Sequence, residues 1–307
     1  MARWRESGSD SGGASWETEL AALLDQVRGI RWPARRAVRS GIPGAHTSRL
    51  RGISAEFTEY RPYRQGDDLR RIDWKLFGRS NRAYIRLSNE RAILPTTIVI
   101  DASASMAFPV GTNAKWKLAA SIGVGLAAVA QNGGDPVGLM ISDDDSPVHL
   151  PPRARQGVIR EIIRAVSGTA PRGSAPLSPL LSLAAQASGR VVIVTDLLGD
   201  ADALLAVASR WVVAGKEMHL VHVIAKEEIE PAQRDALVSD PEVAEYKRPM
   251  IGNAHERYVE AFAHWRENVS NEWSDAGVAY NAAVTGDETV DHLIRRVTAV
   301  RGAAVAG

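Results

Sequence analysis

The sequence predicts an α/β fold, a mainly parallel, doubly wound sheet with helices on both faces, preceded by a loop-rich basic segment. Three observations carry this. Thr96–Asp101, Val137–Ser142, Arg190–Thr195 and Met218–Ile224 are short, almost continuously apolar runs rich in Val and Ile, the pattern of strands buried on both faces. Helical stretches separate them, so strand and helix alternate along the chain. Two of the runs stop abruptly at an aspartate, Asp101 and Asp196, and sheets of this kind bind ligands where strand carboxyl ends meet at a switch in strand order.

The elements follow in order. Residues 1–15 are rich in Ser and Gly and read as a disordered tail. Glu17 to Val27 reads as a short helix with Leu20, Leu23, Leu24 and Val27 on one face. Residues 16–95 then form an N-terminal segment, interrupted by Gly-Ile-Pro-Gly at 41–44, dense in Arg, Asp and aromatics from His46 to Arg91, with one strand at Ala83–Leu87. From residue 96 to 302 the alternating domain runs through a helix at Lys115–Gln131 and the strand Val137–Ser142, with which Pro147–Leu150 pairs. Helices at Gln156–Ser167 and Leu177–Ala187 lead to Arg190–Thr195, and Gly189 is a fitting helix stop. Ala201–Ala214, Met218–Ile224, Gly277–Val284 and Asp287–Val300 complete the alternation. Lys226–Asn253 reads as a polar insertion. Tyr258, Phe262, Trp265, Val269 and Trp273 recur at helical spacing and predict a helix packed on the core.

Composition narrows the function. The 307 residues include no cysteine, which excludes disulfides, thiolate metal sites and cysteine nucleophiles. The start of the chain is polar rather than signal-like, and the longest mostly apolar run, Leu118 to Ala130, is short of the roughly 20 residues a bilayer requires. No membrane anchor and a cytoplasmic location are therefore expected. From Arg31 to Arg91 there are 15 Lys plus Arg against 6 Asp plus Glu, an excess of +9 that leaves −8 on the rest of a chain of net +1. A basic segment joined to an acidic domain suggests internal docking or an anionic partner.

Ile98-Val-Ile-Asp-Ala-Ser-Ala-Ser-Met106 is the most informative stretch. Asp101, Ser103 and Ser105 place three hard oxygen donors at one strand end, a set suited to Mg²⁺, with Mn²⁺ or Ca²⁺ as alternatives. Parallel neighbouring strands would bring Asp196 near. The bland alternative is a helix cap or a turn. The Asp-x-Ser-x-Ser pattern resembles the first loop of the metal-ion-dependent adhesion site of von Willebrand factor A-type domains. That resemblance implies an A-like, Rossmann-type three-layer domain over 96–302.

A second resemblance rests on Gly44-Ala-His-Thr-Ser48, Arg51-Gly52, Glu56-Phe-Thr-Glu-Tyr-Arg-Pro-Tyr63, Gly66-Asp-Asp-Leu-Arg-Arg-Ile-Asp-Trp-Lys75 and Arg79. This run closely resembles the DUF58 family of bacterial and archaeal proteins, whose characteristic segment precedes an A-type domain. The resemblance implies an adaptor role beside a MoxR-type AAA+ ATPase in a chaperone-like system. One departure stands out. A-type sites usually take a threonine from a second loop, and here Pro171-Arg-Gly-Ser-Ala-Pro-Leu177 puts Ala175 in its place, with Ser174 as a substitute after a one-residue shift and Thr169 as a remoter candidate.

Asp67, Asp68, Arg70, Arg71, Asp73, Lys75 and Arg79 mix both signs, which predicts a structural ion-pair network for most of them. The functional alternative is a partner-docking face formed by Tyr60, Arg61, Tyr63, Asp67, Asp68, Arg70, Asp73, Trp74, Lys75 and Arg79, with aromatic anchors and arginines for carboxylate or phosphate. His46 reads as a structural histidine, and His219 and His222 point to opposite faces of one strand.

These readings favour a non-enzymatic protein-interaction module. Its cation site of Asp101, Ser103, Ser105, Asp196 and Ser174 would accept an acidic protein ligand or dock on a MoxR-type ATPase. A phosphohydrolase with Asp101 as nucleophile is the first alternative, weakened because Ser103 stands where such enzymes carry a second aspartate. Nucleic-acid binding through the arginine-rich segment is the second, weakened by interleaved acids and the lack of a recognition helix. Gly111-Thr-Asn-Ala-Lys115 is no phosphate-binding loop.

Overall fold

The computed structural model describes residues 11–34, 56–67, 69–89, 93–144, 147–231, 237–239, 247–249 and 254–299. The chain divides into two compact units, residues 36–93 and a larger unit of 1–35 with 94–307. The first helix, α1 (Ser11–Gln26), belongs to the larger unit.

The smaller unit is a hairpin with a helix in its connection. Strands β1 (Glu56–Pro62) and β2 (Tyr84–Asn89) pair antiparallel, with an irregularity between Phe57 and Glu59. Between them lies α2 (Trp74–Ser80), which starts where it does because Asp73 caps it. The Asp73 Oδ1 accepts the Lys75 and Leu76 amides at 3.0 and 2.9 Å. The helix ends at Asn81, in the left-handed conformation at φ 52.

The larger unit is built on one six-stranded sheet. Its strands are β3 (Thr96–Ile100), β4 (Val137–Ile141), β5 (Val148–Arg153), β6 (Arg190–Thr195), β7 (Glu217–Ile224) and β10 (Ala279–Val284). The spatial order is β10-β7-β6-β3-β4-β5, and β5 alone runs antiparallel. From β3 the chain winds outward through β4 and β5, then crosses to the other side at β6. The β3–β6 boundary is thus the switch point, as in doubly wound sheets of order 3-2-1-4-5-6. The helices are α3 (Ala114–Asn132), α4 (Val158–Gly168), α5 (Ser178–Ala187), α6 (Ala201–Val213), α7 (Lys226–Ile229), α8 (Ala254–Asp275) and α9 (Val290–Thr298). A separate antiparallel pair, β8 (Leu237–Ser239) and β9 (Lys247–Pro249), lies in the stretch before α8.

Layering follows from the alternation of side chains in strands. Ile98 and Ile100 of β3 face one core with Ile122 and Leu126 of α3, Ile162 of α4, Ile294 of α9 and Leu20 and Leu23 of α1. Val99 faces the opposite core with Leu181 of α5, Leu204 of α6 and Trp273 of α8. Gly123 lets α3 lie close on the sheet, since a Cβ there would stand 2.6 Å from Ile100 Cδ1. At the amino end of the sheet the fully buried Arg190 bonds Glu217 Oε2 at 3.1 Å and Asp135 Oδ2 at 3.4 Å. Its guanidinium lies 4.2 Å from the centre of the Trp32 ring.

The α/β class and doubly wound order are those the sequence predicts. Three local readings differ. Helix α1 starts at Ser11, inside the stretch read as a tail. Residues up to 35 join the sheet unit, because Leu20, Leu23, Val27 and Trp32 bury their side chains in its core. The segment read as mostly loop contains β1 and α2, whose mixed polar and aromatic sequences leave no clean hydrophobic period to read.

Candidate functional site

Two neighbouring strands deliver the two aspartates. β3 and β6 pair in parallel with Ile100 opposite Val194, and the Asp101 amide donates to the Val194 carbonyl at 2.9 Å. Asp101 and Asp196 therefore leave the sheet side by side at the switch point. Asp101 Oδ1 accepts the Ser103 amide at 2.9 Å, and Oδ2 accepts the Thr195 hydroxyl at 2.7 Å. Ser142, just past β4, takes the Ala102 amide on its Oγ at 3.0 Å. The Ser103 and Ser105 hydroxyls bond each other at 3.0 Å.

The second loop is stitched to the first. Ala104 donates its amide to the Gly173 carbonyl at 2.9 Å, and the Arg172 amide donates to the Ala102 carbonyl at 2.8 Å. Ser174 is exposed and donates its amide to Asp144 Oδ2 at 3.1 Å. Asp200 accepts the Leu177 and Ser178 amides at 3.1 and 3.0 Å and so holds the start of α5. These loops enclose a cleft of about 330 Å³ lined by Asp101, Ser103, Ser174, Ala175, Thr195 and Asp200, among others. Leu197 also lines it, at φ 60, a left-handed conformation that costs a bulky residue on the order of 1–3 kcal/mol. Strain of this kind concentrates at functional sites.

Behind the rim lies a lysine. Lys115, in the first turn of α3, is fully buried. Its Nζ stands 2.6 Å from Asp196 Oδ2 and 2.8 Å from Glu228 Oε1 of α7. Glu228 uses its second oxygen to accept the Ala225 amide at 2.7 Å. Burial works against the ammonium, but Asp196 and Glu228 outweigh it and hold its pKa above the ordinary lysine value. Burial raises the Asp101 pKa, and the charge of Asp196 raises it further against the pull of the Thr195 and Ser103 donors. His222 of β7 is pushed down to about 4 by burial, with Arg266 and Lys115 adding to the effect against Asp196. Its Nδ1 bonds Tyr280 Oη at 2.8 Å, and burial pushes that phenol up to about 12.

The donor set can be tested for a divalent cation. Asp196 Oδ1 accepts the Leu198 amide at 3.1 Å and Oδ2 faces the Lys115 ammonium at 2.6 Å. Asp101 has a protein donor on each oxygen. Three of the four carboxylate oxygens thus accept hydrogen bonds from the chain, the fourth, Asp196 Oδ2, has the Lys115 ammonium beside it as an ion pair without a directed hydrogen bond, the two serines share one hydrogen bond, and Ala175 offers no side-chain oxygen. Among the described residues no three carboxylate or imidazole side chains converge as a metal site. A divalent cation drawn to both aspartates would have to compete with the Lys115 ammonium already placed against Asp196 Oδ2.

Asp101, Ser103 and Ser174 line one cleft, with Ser174 exposed and Asp101 and Ser103 themselves buried; Asp196 and Ser105 are buried as well and do not line it. Sequence reasoning missed Lys115, Glu228 and Thr195. A signal for Lys115 existed: it falls on the apolar face of α3 with Ala119, Ile122 and Leu126.

In the smaller unit nine of the ten residues of the expected docking face are described, some holding the hairpin and others exposed. Asp73 caps α2 and accepts the Tyr60 hydroxyl at 2.8 Å. Asp67 takes Arg61 Nη2 and the Arg64 amide, both at 2.8 Å, and the Arg61 side chain is the leading cause of its lowered pKa. The side chains of Tyr60, Arg61, Asp67 and Asp73 hold the hairpin. Trp74 is 62% exposed, stacked edge-on against the exposed Phe77 at 6.0 Å, and Arg70, Lys75 and Arg79 are also exposed. Tyr63 is half-buried. Asp68 and His46 lie outside the described residues. His219 and His222 do face opposite layers, packing edge-on against Trp32 and Trp265.

Several known proteins are similar to this chain. The family described as "Protein of unknown function DUF58" matches residues 59–268. The uncharacterized protein Rv1480 of Mycobacterium tuberculosis is 25% identical over 300 residues, 95% of this chain and 93% of the relative. Among solved structures, BatB from Bacteroides thetaiotaomicron superposes with a TM-score of 0.42 at 14% identity, over 66% of this chain and 95% of its own. The vWF domain of the pili tip protein Mfa5 from Porphyromonas gingivalis gives 0.29 at 14% identity, over 68% and 87%.

Proposed function

The chain belongs to the DUF58 family, and we propose that it is a non-enzymatic interaction module, an adaptor that docks on a partner through the carboxyl-end rim of its sheet. The observation that carries this reading is the open cleft at the switch point, with Asp101, Ser103 and Ser174 on its wall. Apolar side chains flank this polar rim on loops of the same sheet end. Leu198 is 46% exposed and Val110 93% exposed. Exposed apolar groups bordered by polar ones are what a protein-docking surface presents. The exposed Trp74 and Phe77 of the smaller unit provide a second contact, since aromatics supply much interface energy once a partner buries them.

The partner class is a MoxR-type AAA+ ATPase, taken from the family resemblance; an acidic protein ligand for the basic segment is the alternative. No helix among the described residues is long and apolar enough to cross a membrane. The test is affinity capture from the native extract with wild type, Asp101→Ala and Trp74→Ala. Recovery of an AAA+ ATPase by wild type, reduced in the variants, is expected. Phosphatase turnover that disappears in Asp101→Asn would overturn the adaptor reading in favour of an aspartyl-phosphate enzyme.

A further inference from the structure

We infer that Lys115 is a built-in cation that takes the place of a metal ion beside Asp196, so that the rim works without a divalent cation. This deepens the adaptor reading of the same rim, on which it rests, by stating how the rim's charge is balanced. Lys115 is fully buried, and its ammonium is held between two carboxylates that reach it from different strand ends, Asp196 after β6 and Glu228 after β7. A buried ammonium is retained only where charged partners compensate for its lost hydration. Here the pairing also does what a metal would do for Asp196, placing a fixed positive charge on one of its carboxylate oxygens.

The neighbouring groups are arranged to match. Asp101 accepts the Thr195 hydroxyl and the Ser103 amide, at 2.7 and 2.9 Å, so each of its oxygens has a partner from the chain. The serine hydroxyls turn to each other at 3.0 Å. The second loop, stitched to the first through Ala104 and Gly173, brings Ala175 to the cleft wall, where no side-chain oxygen is required. The departure from the A-type pattern at residue 175 and the lysine at 115 are thus one adaptation, in which a covalently tethered charge makes the second-loop ligand dispensable. A tethered cation differs functionally from a metal: it cannot be chelated, and its strength does not vary with the concentration of Mg²⁺.

The test uses the full chain with MgCl₂, MnCl₂ and EDTA as probes. Wild type is expected to melt at the same temperature in millimolar MgCl₂ and in EDTA, and to leave the electron paramagnetic resonance signal of free Mn²⁺ unattenuated. Lys115→Met, which keeps the stem and removes the charge, is expected to melt lower and to recover part of the loss on adding MgCl₂ or MnCl₂, because binding to the folded state alone stabilises it. One bound Mn²⁺ per wild-type chain, or a rise in its melting temperature with MgCl₂ that Asp101→Ala abolishes, overturns the inference. The wild-type measurement decides even if Lys115→Met does not fold. Such a result would leave the adaptor reading standing in a metal-dependent form, whereas failure of partner capture would leave the charge balance untouched.

Discussion

Lys115 and Asp196 meet at 2.6 Å in the interior, 81 positions apart in the chain, one in the first turn of α3 and the other just past β6. Neither residue type is at home in a core without the other. Their pairing joins the helix that follows the first site loop to the strand end that carries the second aspartate.

Breaking this pair should be costly. Removing one partner of a buried ion pair leaves the other charge uncompensated, a loss of roughly 3–5 kcal/mol. Lys115→Ala is expected to lower stability by that order in urea unfolding. A change under about 1 kcal/mol, the size typical of exposed pairs, would mean the ammonium does not compensate Asp196 as described.

His222 should make stability depend on pH. Its folded pKa of about 4 lies below the ordinary 6.5, so the unfolded chain binds more protons between those values. Stability therefore rises with pH across that window and is lost as pH falls from 6.5 toward 4. A tenfold difference in proton affinity is worth about 1.4 kcal/mol, which gives a loss on the order of 3 kcal/mol. His222→Phe should flatten this part of the profile, and an equally steep profile in the variant would assign the dependence to another group.

Asp101 should act with the opposite slope. Its folded pKa is raised by burial and by Asp196, so the folded state holds the proton more tightly. Stability from this group is fully present below the ordinary carboxylate pKa of 3.8 and is lost as pH climbs through the raised folded value. Asp101→Asn is expected to be at least as stable as wild type at neutral pH, with the gap closing on acidification. A variant clearly less stable at neutral pH would show that the carboxylate is structural rather than kept for binding.

The smaller unit offers a paired comparison. Asp73→Ala removes the α2 cap and the acceptor of the Tyr60 hydroxyl, and should cost about 1–2 kcal/mol. Trp74→Ala next to it touches solvent and should change stability by less than about 0.5 kcal/mol. It should nonetheless reduce capture of the partner. Equal losses of stability in the two variants would place Trp74 in the fold and not on a docking face.

Much of this architecture is readable from the chain. The runs Thr96–Ile100 and Arg190–Thr195 announce buried strands because every residue in them is shielded on both faces, and a continuous apolar run needs no partner to be recognised. Asp101, Ser103 and Asp196 stand out because polar side chains end those runs abruptly. The smaller unit is harder to read: β1 and α2 owe their shape to Asp67 and Asp73, side chains whose bonds to Arg61 and Tyr60 leave no periodic trace.

The α/β class, the order of the main elements and the two aspartates at strand ends are written in the linear chain, since each depends on neighbours a few positions away. What surrounds those aspartates is set by the folded arrangement alone. Lys115, Glu228 and Thr195 come from separate elements of the sheet unit, and charge compensation in a core depends on distance in space. A lysine on the apolar face of a helix is a puzzle in the chain and half of an ion pair in the fold.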